Sequence, residues 1–448
     1  MGAFKAYDIR GIYPEEVNEN FAYHLGLAIA TFLKSKEIVI GRDCRLSSKP
    51  LFDSLVKGIL ETGTNVIDLG LISTPQLYFS LYTSEIQGGI MITASHNNKE
   101  YNGFKICTTK ARPIFKENGF SEIKKIIEEK NYLTTDLKGE LVEENIDSLY
   151  KQFFTSLVLE KFPRLKRNYK ILVDLGNGMG GKELEVIKAI YPDLIIETLF
   201  EEMDGNFPNH QANPVVEENM VSLSKKLAEG DFDFGVGFDG DADRIVFFLP
   251  DGSMIPPDLI TGIIGVNITS KGDKAGFEVR TSQAVNDLFI KNKIVPLLYP
   301  SGRAYMISKM RIDDARFAGE KSGHYFYREL EYTDSSLYTF INLIQILDSQ
   351  ETSLEKLVEP LSEKHFQSGE LNYEVEDGSK ALKAIDDFFF HKADKILKID
   401  GVSVYTEFYF FNIRQSNTEN NILRLNIEAN SPQLVEEVKD WIEAIINK

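Results

Sequence analysis

Three aspartates at alternate positions, Asp239, Asp241 and Asp243, share the segment Gly237-Phe238-Asp239-Gly240-Asp241-Ala242-Asp243-Arg244. Apolar residues precede it (Phe234, Val236, Phe238) and follow it (Ile245 to Leu249), so the carboxylates fall on a loop between two strand-like runs. Carboxylates this close repel unless a hard cation or an arginine neutralises them. Oxygen donors suit Mg²⁺, which also takes up substrate phosphate oxygens. An EF-hand is excluded, because Arg244 stands where its loop wants Gly and Pro250 where it wants Glu. The plain alternative is a solvated acidic turn.

Three further segments carry candidate chemistry. Thr93-Ala94-Ser95-His96-Asn97-Asn98 follows the buried-type strand Gly88 to Ile92 and displays a serine beside an imidazole. A serine hydroxyl becomes a nucleophile only beside a base or an electrophilic partner, and an ordinary turn is the alternative. Gly319-Glu320-Lys321-Ser322-Gly323-His324 brackets a carboxylate, a hydroxyl and an imidazole between glycines; such a set can bond sugar hydroxyls, and so can a plain surface loop exist there. Arg414-Gln415-Ser416-Asn417-Thr418-Glu419, between two strand-like runs, offers a guanidinium, hydroxyls and loop N–H groups, matching a phosphate dianion or a polar hairpin tip. Arg10 and Lys105 add cations near the serine segment in sequence.

The elements that must position these groups follow one pattern. Glu37 to Gly41, Lys170 to Asp174 and Lys274 to Val279 each read as a strand leading through a polar loop into a helix and a second strand. Repeated strand–helix–strand units predict parallel sheets and successive α/β domains. The last stretch differs: Val402 to Ile413 and Ile422 to Ala429 read as two strands, and Ser431-Pro432 opens a helix toward the C-terminus. Lys138 to Lys151 reads as a linker plus a helix.

Composition narrows the function. The chain has 448 residues with Lys+Arg 50 against Asp+Glu 68, a net charge of −18. Such a surface disfavours nucleic acid and anionic membranes as partners, although local cations can still bind a small anion. No stretch reaches the roughly 18 apolar residues of a membrane span. Cys44 and Cys107 make no disulfide framework, so a reducing cytoplasm is the expected setting.

In this order, Tyr7-Asp8-Ile9-Arg10-Gly11, Gly41-Arg42-Asp43, the Ser95 loop, the Asp239 loop, the Glu320 loop and the Arg414 loop resemble the α-D-phosphohexomutase family, of the phosphomannomutase/phosphoglucomutase type. The resemblance implies three similar α/β domains with mixed sheets plus a C-terminal α+β domain around a central cleft. The boundaries expected are 1–140, 141–255, 256–366 and 367–448. It implies interconversion of hexose 1- and 6-phosphates, with Ser95 carrying a phosphoryl group and a hexose 1,6-bisphosphate as intermediate and activator. By the same resemblance Ser95, Asp239, Asp241 and Asp243 bind one Mg²⁺ ion, Arg244 lies beside the phosphate, and His96 assists proton transfer. Arg10, Lys105 and Arg280 are implied to contact substrate; Glu320 and Ser322 to grip sugar hydroxyls with His324 nearby; Arg414, Ser416, Asn417 and Thr418 to hold the non-reacting phosphate.

Departures from the family pattern are Asn98 where its serine loop has proline, Arg280 where many relatives place lysine, and Asn417 where some have glycine. Arginine stays protonated and makes a poor base. Other readings are a phosphoglucosamine mutase, a metal-dependent phosphatase, and a non-catalytic sugar-phosphate-binding protein. The first of these usually shows Gln at the position of Lys321.

Overall fold

The structure is a computed structural model and describes residues 2–363, 365–416 and 421–446. The chain divides into two compact units, Met1–Ile255 with Ser322–Leu354, and Pro256–Lys321 with Glu355–Lys448.

The first unit holds two mixed sheets. One runs Ile9–Ile12, Tyr101–Thr108, Gly88–Ile92, Glu37–Arg42, Asn65–Leu71, Leu141–Glu143 from edge to edge. Its centre is parallel, and Tyr101–Thr108 pairs antiparallel on both sides. The inner strand Gly88–Ile92 is buried throughout, as continuous apolar runs in doubly covered sheets are. Helices Glu19–Leu33 and Ser48–Leu60 bury Leu25, Ile29, Leu55 and Ile59 against it. Lys138 to Lys151, expected as a linker plus a helix, holds the start of helix Asp147–Lys161 but places the edge strand Leu141–Glu143 in the position of the linker.

The second sheet runs Ile245–Phe248, Phe234–Phe238, Lys170–Asp174, Ile195–Leu199. Phe234–Phe238 and Ile245–Phe248 pair antiparallel, with Phe238 opposite Ile245. The aspartates therefore occupy the turn of a buried hairpin. The hairpin Tyr325–Tyr327/Thr333–Asp334 and the buried helix Ser336–Ser349 complete this unit.

In the second unit Val295–Tyr299, Lys274–Glu278 and Phe317–Gly319 pair in parallel. A wholly antiparallel sheet, Phe366–Glu374, Ile422–Ala429, Tyr409–Gln415, Val402–Tyr405, Lys395–Leu397, follows. Helices Gly378–Phe389 and Pro432–Ile446 bury Ile385, Phe389, Val435, Val438 and Ile442 on it. The run Val402 to Ile413 is thus two strands rather than one. Its apolar alternation hides a turn in which the Thr406 hydroxyl accepts the N–H groups of Phe408 and Tyr409 at 3.2 and 3.0 Å. Among the described residues, no helix is long and apolar enough to cross a membrane.

Candidate active site

The serine and aspartate loops meet in the first unit. Ser95 Oγ donates to Asp239 Oδ2 at 2.7 Å and lies 3.2 Å from His96 Nδ1. Ser95 has φ +51, a left-handed conformation that a non-glycine residue adopts only when its surroundings hold it there. Gly240 permits the approach: a Cβ there would stand 2.5 Å from the Ser95 carbonyl oxygen. The antiparallel hairpin supplies the rest, since its turn throws Asp239, Asp241 and Asp243 to one side.

Each of the three aspartates offers an oxygen within 4.8 Å of the others, and all are buried. Burial, then Asp243 and Asp241, raise the Asp239 pKa. Lys105 answers part of this charge: Nζ is 2.6 Å from Asp241 Oδ2 and also donates to Asp243. Asp241 Oδ1 and Asp243 Oδ1 remain buried without a hydrogen-bond partner. A set of clustered, all-oxygen donors with two orphaned atoms fits a hard divalent cation.

Around this centre, the Arg244 N–H donates to Asp239 Oδ1 at 3.1 Å and its Nε to His324 Nε2 at 3.1 Å. That bond requires His324 to carry its proton on Nδ1, which lies 2.8 Å from Asp334 Oδ2. Arg10 Nη1 donates to Asn97 Oδ1 at 2.7 Å and its Nη2 pairs with Asp8. Burial, then the charges of Arg244 and Arg10, holds the His96 pKa well below its ordinary value. His96 is therefore held as a neutral imidazole.

Several residues of this centre have no sequence signal of their own. Thr74 donates its hydroxyl to Asp241 Oδ2 at 2.5 Å and its N–H to the Asp241 carbonyl at 2.9 Å. It opens helix Thr74–Tyr82, whose capping box is Ser73 with Gln76. Ser73 Oγ in turn donates to the buried Glu183, which also accepts from Tyr150 OH at 2.8 Å. Burial pushes the Glu183 pKa from 4.5 up to about 7. The folded state thus keeps a proton that the unfolded chain loses. This stabilisation is complete below pH 4.5 and is lost as pH rises through about 7. At about 1.4 kcal/mol per pH unit the loss totals roughly 3 kcal/mol. The thermal stability of wild type should fall from pH 5 to pH 8, and Glu183→Gln should remove most of that slope. Equal slopes in the two proteins would show that Glu183 ionises normally.

The second unit gathers Arg280, Glu320 and Arg414 among acidic partners. Arg280 donates Nε and Nη2 to Glu278 at 2.9 and 2.7 Å and Nη1 to Glu370 at 2.7 Å. Burial opposes its charge, but Glu278 and Glu370 prevail and raise its pKa, so Arg280 serves as a fixed cation. Glu320 Oε1 accepts the Gly302 N–H at 2.7 Å. Arg414 lies inside strand Tyr409–Gln415, not in the following loop as read from sequence, because the ladder continues through Gln415 opposite Leu423. Directly across from it stands Arg424, a like charge that needs an anion between. Glu370 partly supplies one, accepting from Arg424 at 2.8 Å while staying 4.0 Å from Arg414. Arg414 Nε is buried and makes no hydrogen bond. Burial and then Arg280 lower the Arg414 pKa, so an incoming anion is favoured. The Ser416 N–H donates to the Ile422 carbonyl at 2.8 Å; Asn417 and Thr418 lie outside the described residues. Ser322 belongs to the first unit and Glu320 to the second, although two positions separate them in sequence.

Successive α/β layers and a buried serine hydrogen-bonded to a carboxylate cluster are features that suit a phosphoryl-transfer enzyme. Comparison along the chain gives the family. Residues 1–133, 148–252 and 256–365 match phosphoglucomutase/phosphomannomutase alpha/beta/alpha domains I, II and III, and residues 370–445 match its C-terminal domain. A protein of Xanthomonas campestris described as "Phosphohexose mutases" is 34% identical over 96% of this chain and 95% of its own. A Vibrio cholerae phosphomannomutase is 32% identical over 99% and 97%. The crystal structure of a phosphoglucomutase/phosphomannomutase family protein from Burkholderia thailandensis superposes with a TM-score of 0.89 at 27% identity, covering 99% of this chain and 96% of that one. The chain belongs to the α-D-phosphohexomutase family, of the phosphoglucomutase/phosphomannomutase type. It is an isomerase, a phosphohexomutase; the phosphoglucosamine alternative is less supported.

Proposed function

We propose that the enzyme interconverts the 1- and 6-phosphates of mannose, glucose or both, with Ser95 as phosphoryl carrier and the hexose 1,6-bisphosphate as intermediate. The observation that carries this reading is the 2.7 Å bond from Ser95 Oγ to one of three clustered carboxylates. Phosphoserine donates its phosphoryl group to the free hydroxyl of a hexose phosphate. The P–Oγ bond breaks, a P–O bond to the sugar forms, and the hydroxyl proton leaves to a base. The bisphosphate turns end for end, and the other phosphoryl group returns to Ser95 Oγ as a proton returns to the sugar oxygen. The neutral His96 imidazole, 3.2 Å from Oγ, assists proton transfer beside the serine.

Asp239, Asp241 and Asp243, together with the phosphoserine, would hold one Mg²⁺. The ion, when bound, offsets charge on the transferring group. Arg244 steadies the same phosphoryl group, and Arg10 and Lys105 supply further cations for substrate. Glu320 and Ser322, with His324, read the sugar hydroxyls, because a carboxylate repels phosphate. Domain boundaries near 140, 255 and 366 assign one such set to each of four domains.

Arg414, with Ser416, Asn417 and Thr418, holds the phosphate that is not reacting. Its pocket must accept either phosphate, because the substrate binds in two orientations. A guanidinium recognises the phosphate itself and not the ring. A charge-assisted hydrogen bond contributes about 1.5–3 kcal/mol. A coupled assay on mannose, glucose and glucosamine 1-phosphates, with bisphosphate and Mg²⁺, tests the whole reading. Turnover of the first two is expected, and Arg414→Ala should raise both KM values by similar factors of about 10 or more. Turnover of glucosamine 1-phosphate alone would overturn the sugar assignment, and a KM defect with one sugar only would overturn the role of Arg414.

A further inference from the structure

Arg45 makes five side-chain hydrogen bonds in the first unit, and no part of the proposed chemistry uses it. Its side chain is 0% exposed. Nη2 donates to the carbonyls of Ser95 and Asn97, both at 2.7 Å. Nη1 donates to those of Asn98 and Tyr101 at 2.7 and 3.1 Å. Nε binds Asp43 Oδ2 at 3.1 Å, and the Arg45 N–H binds Asp43 Oδ1 at 3.1 Å. Asp43 is itself held by the Ser48 hydroxyl at 2.6 Å. The face of the guanidinium lies 4.9 Å from the centre of the Phe207 ring.

One planar fork thus gathers three backbone carbonyls of the loop that carries Ser95 and that of Tyr101, the first residue of the next strand. A loop that turns its carbonyls inward needs a buried donor for each, since an unpaired buried carbonyl is costly. The left-handed φ of Ser95 must also be imposed from outside. The Ser95 carbonyl is fixed between Arg45 Nη2 and the close backbone of Gly240, and fixing that peptide fixes where Oγ points. Asn98, in place of a rigid proline, leaves the loop's stiffness to such contacts.

We propose that Arg45 is a positioning residue for phosphoryl transfer at Ser95, clamping the serine loop so that Oγ faces Asp239. This rests on the reading of Ser95 as phosphoryl carrier. Lysine cannot replace it, because a single ammonium has no fork to span four carbonyls.

The test follows loading of Ser95 from hexose 1,6-bisphosphate by intact-protein mass in wild type, Arg45→Lys and Arg45→Ala, with steady-state kinetics on hexose 1-phosphate. Arg45→Lys should load about 100-fold more slowly, the effect of a misplacement near 1 Å. Its KM should stay within about 3-fold of wild type, since the loss is confined to the transition state. Free guanidinium should accelerate loading of folded Arg45→Ala and leave wild type unchanged. Loading of Arg45→Lys at the wild-type rate would overturn the proposal. So would a loss explained wholly by unfolding, with folded protein loading normally and no guanidinium rescue. A wild-type protein that takes no phosphate on Ser95 would overturn the carrier reading first, and this inference with it.

Discussion

Replacing Ser95 by alanine should stop turnover, lowering kcat by at least about 10³-fold, because the covalent carrier is removed and not merely weakened. The fold should be barely affected. Ser95 is buried, and the lost hydroxyl donated to Asp239 and lay 3.2 Å from His96 Nδ1, but alanine leaves no donor or charge stranded on its own side. Asp239 loses that donor yet keeps the Arg244 N–H at 3.1 Å. Mass spectrometry should place a phosphate on the Ser95 peptide of wild type and none on that peptide of the variant. Binding of a hexose 1-phosphate should persist, since Arg414 and its neighbours are untouched. Full turnover by Ser95→Ala would transfer the reaction to another group. Steady release of inorganic phosphate by wild type, without isomerisation, would make the serine part of a phosphatase.

How much of this centre the sequence discloses depends on whether a residue's partners are local. The three aspartates are legible because their alternate spacing and apolar flanks report a tight turn between strands, and the structure has that hairpin. The α/β pattern is legible for the same reason, as strand and helix periodicities are local properties. Arg414 is assigned its chemistry but not its element, since strand continuation through Gln415 depends on pairing with Leu423 across a loop. Val402 to Ile413 misleads because hydroxyl-capped turns need no glycine or proline. Thr74, Glu183 and Asp334 are silent in sequence. The partners of Thr74 and Glu183, Asp241 and Ser73, lie far away in the chain, Asp334 meets His324 only through the fold of its hairpin, and no single-chain periodicity encodes a buried polar contact. Arg45 is an intermediate case: it follows the Gly41-Arg42-Asp43 segment by two residues, yet what it grips is set by folding.

Removal of divalent cations should likewise abolish activity, and Lys105 gives this expectation a sharper form. The lysine sits among the carboxylates, with Nζ 2.6 Å from Asp241 Oδ2 and in contact with Asp243. Its ammonium neutralises part of the buried charge that an incoming dication must also use. Two positive centres sharing the same oxygens repel, by several kcal/mol at an effective dielectric near 20. Part of that repulsion is offset, because without the lysine the aspartates hold protons more tightly and must release them to the ion. Lys105→Met, which keeps the length of the apolar stem, should therefore bind Mg²⁺ about tenfold more tightly, a gain of about 1.4 kcal/mol. Calorimetric titration of the unphosphorylated protein reads this without any turnover. On the proposed role of Lys105 toward the substrate phosphate, catalysis by the same variant should nonetheless fall. Affinity and activity then move in opposite directions, which simple damage to the site cannot produce. Weaker Mg²⁺ binding by Lys105→Met would mean that the lysine organises the aspartates for the ion. Full activity of wild type in thoroughly chelated buffer would mean that the cluster serves the fold through Lys105 and Arg244 alone.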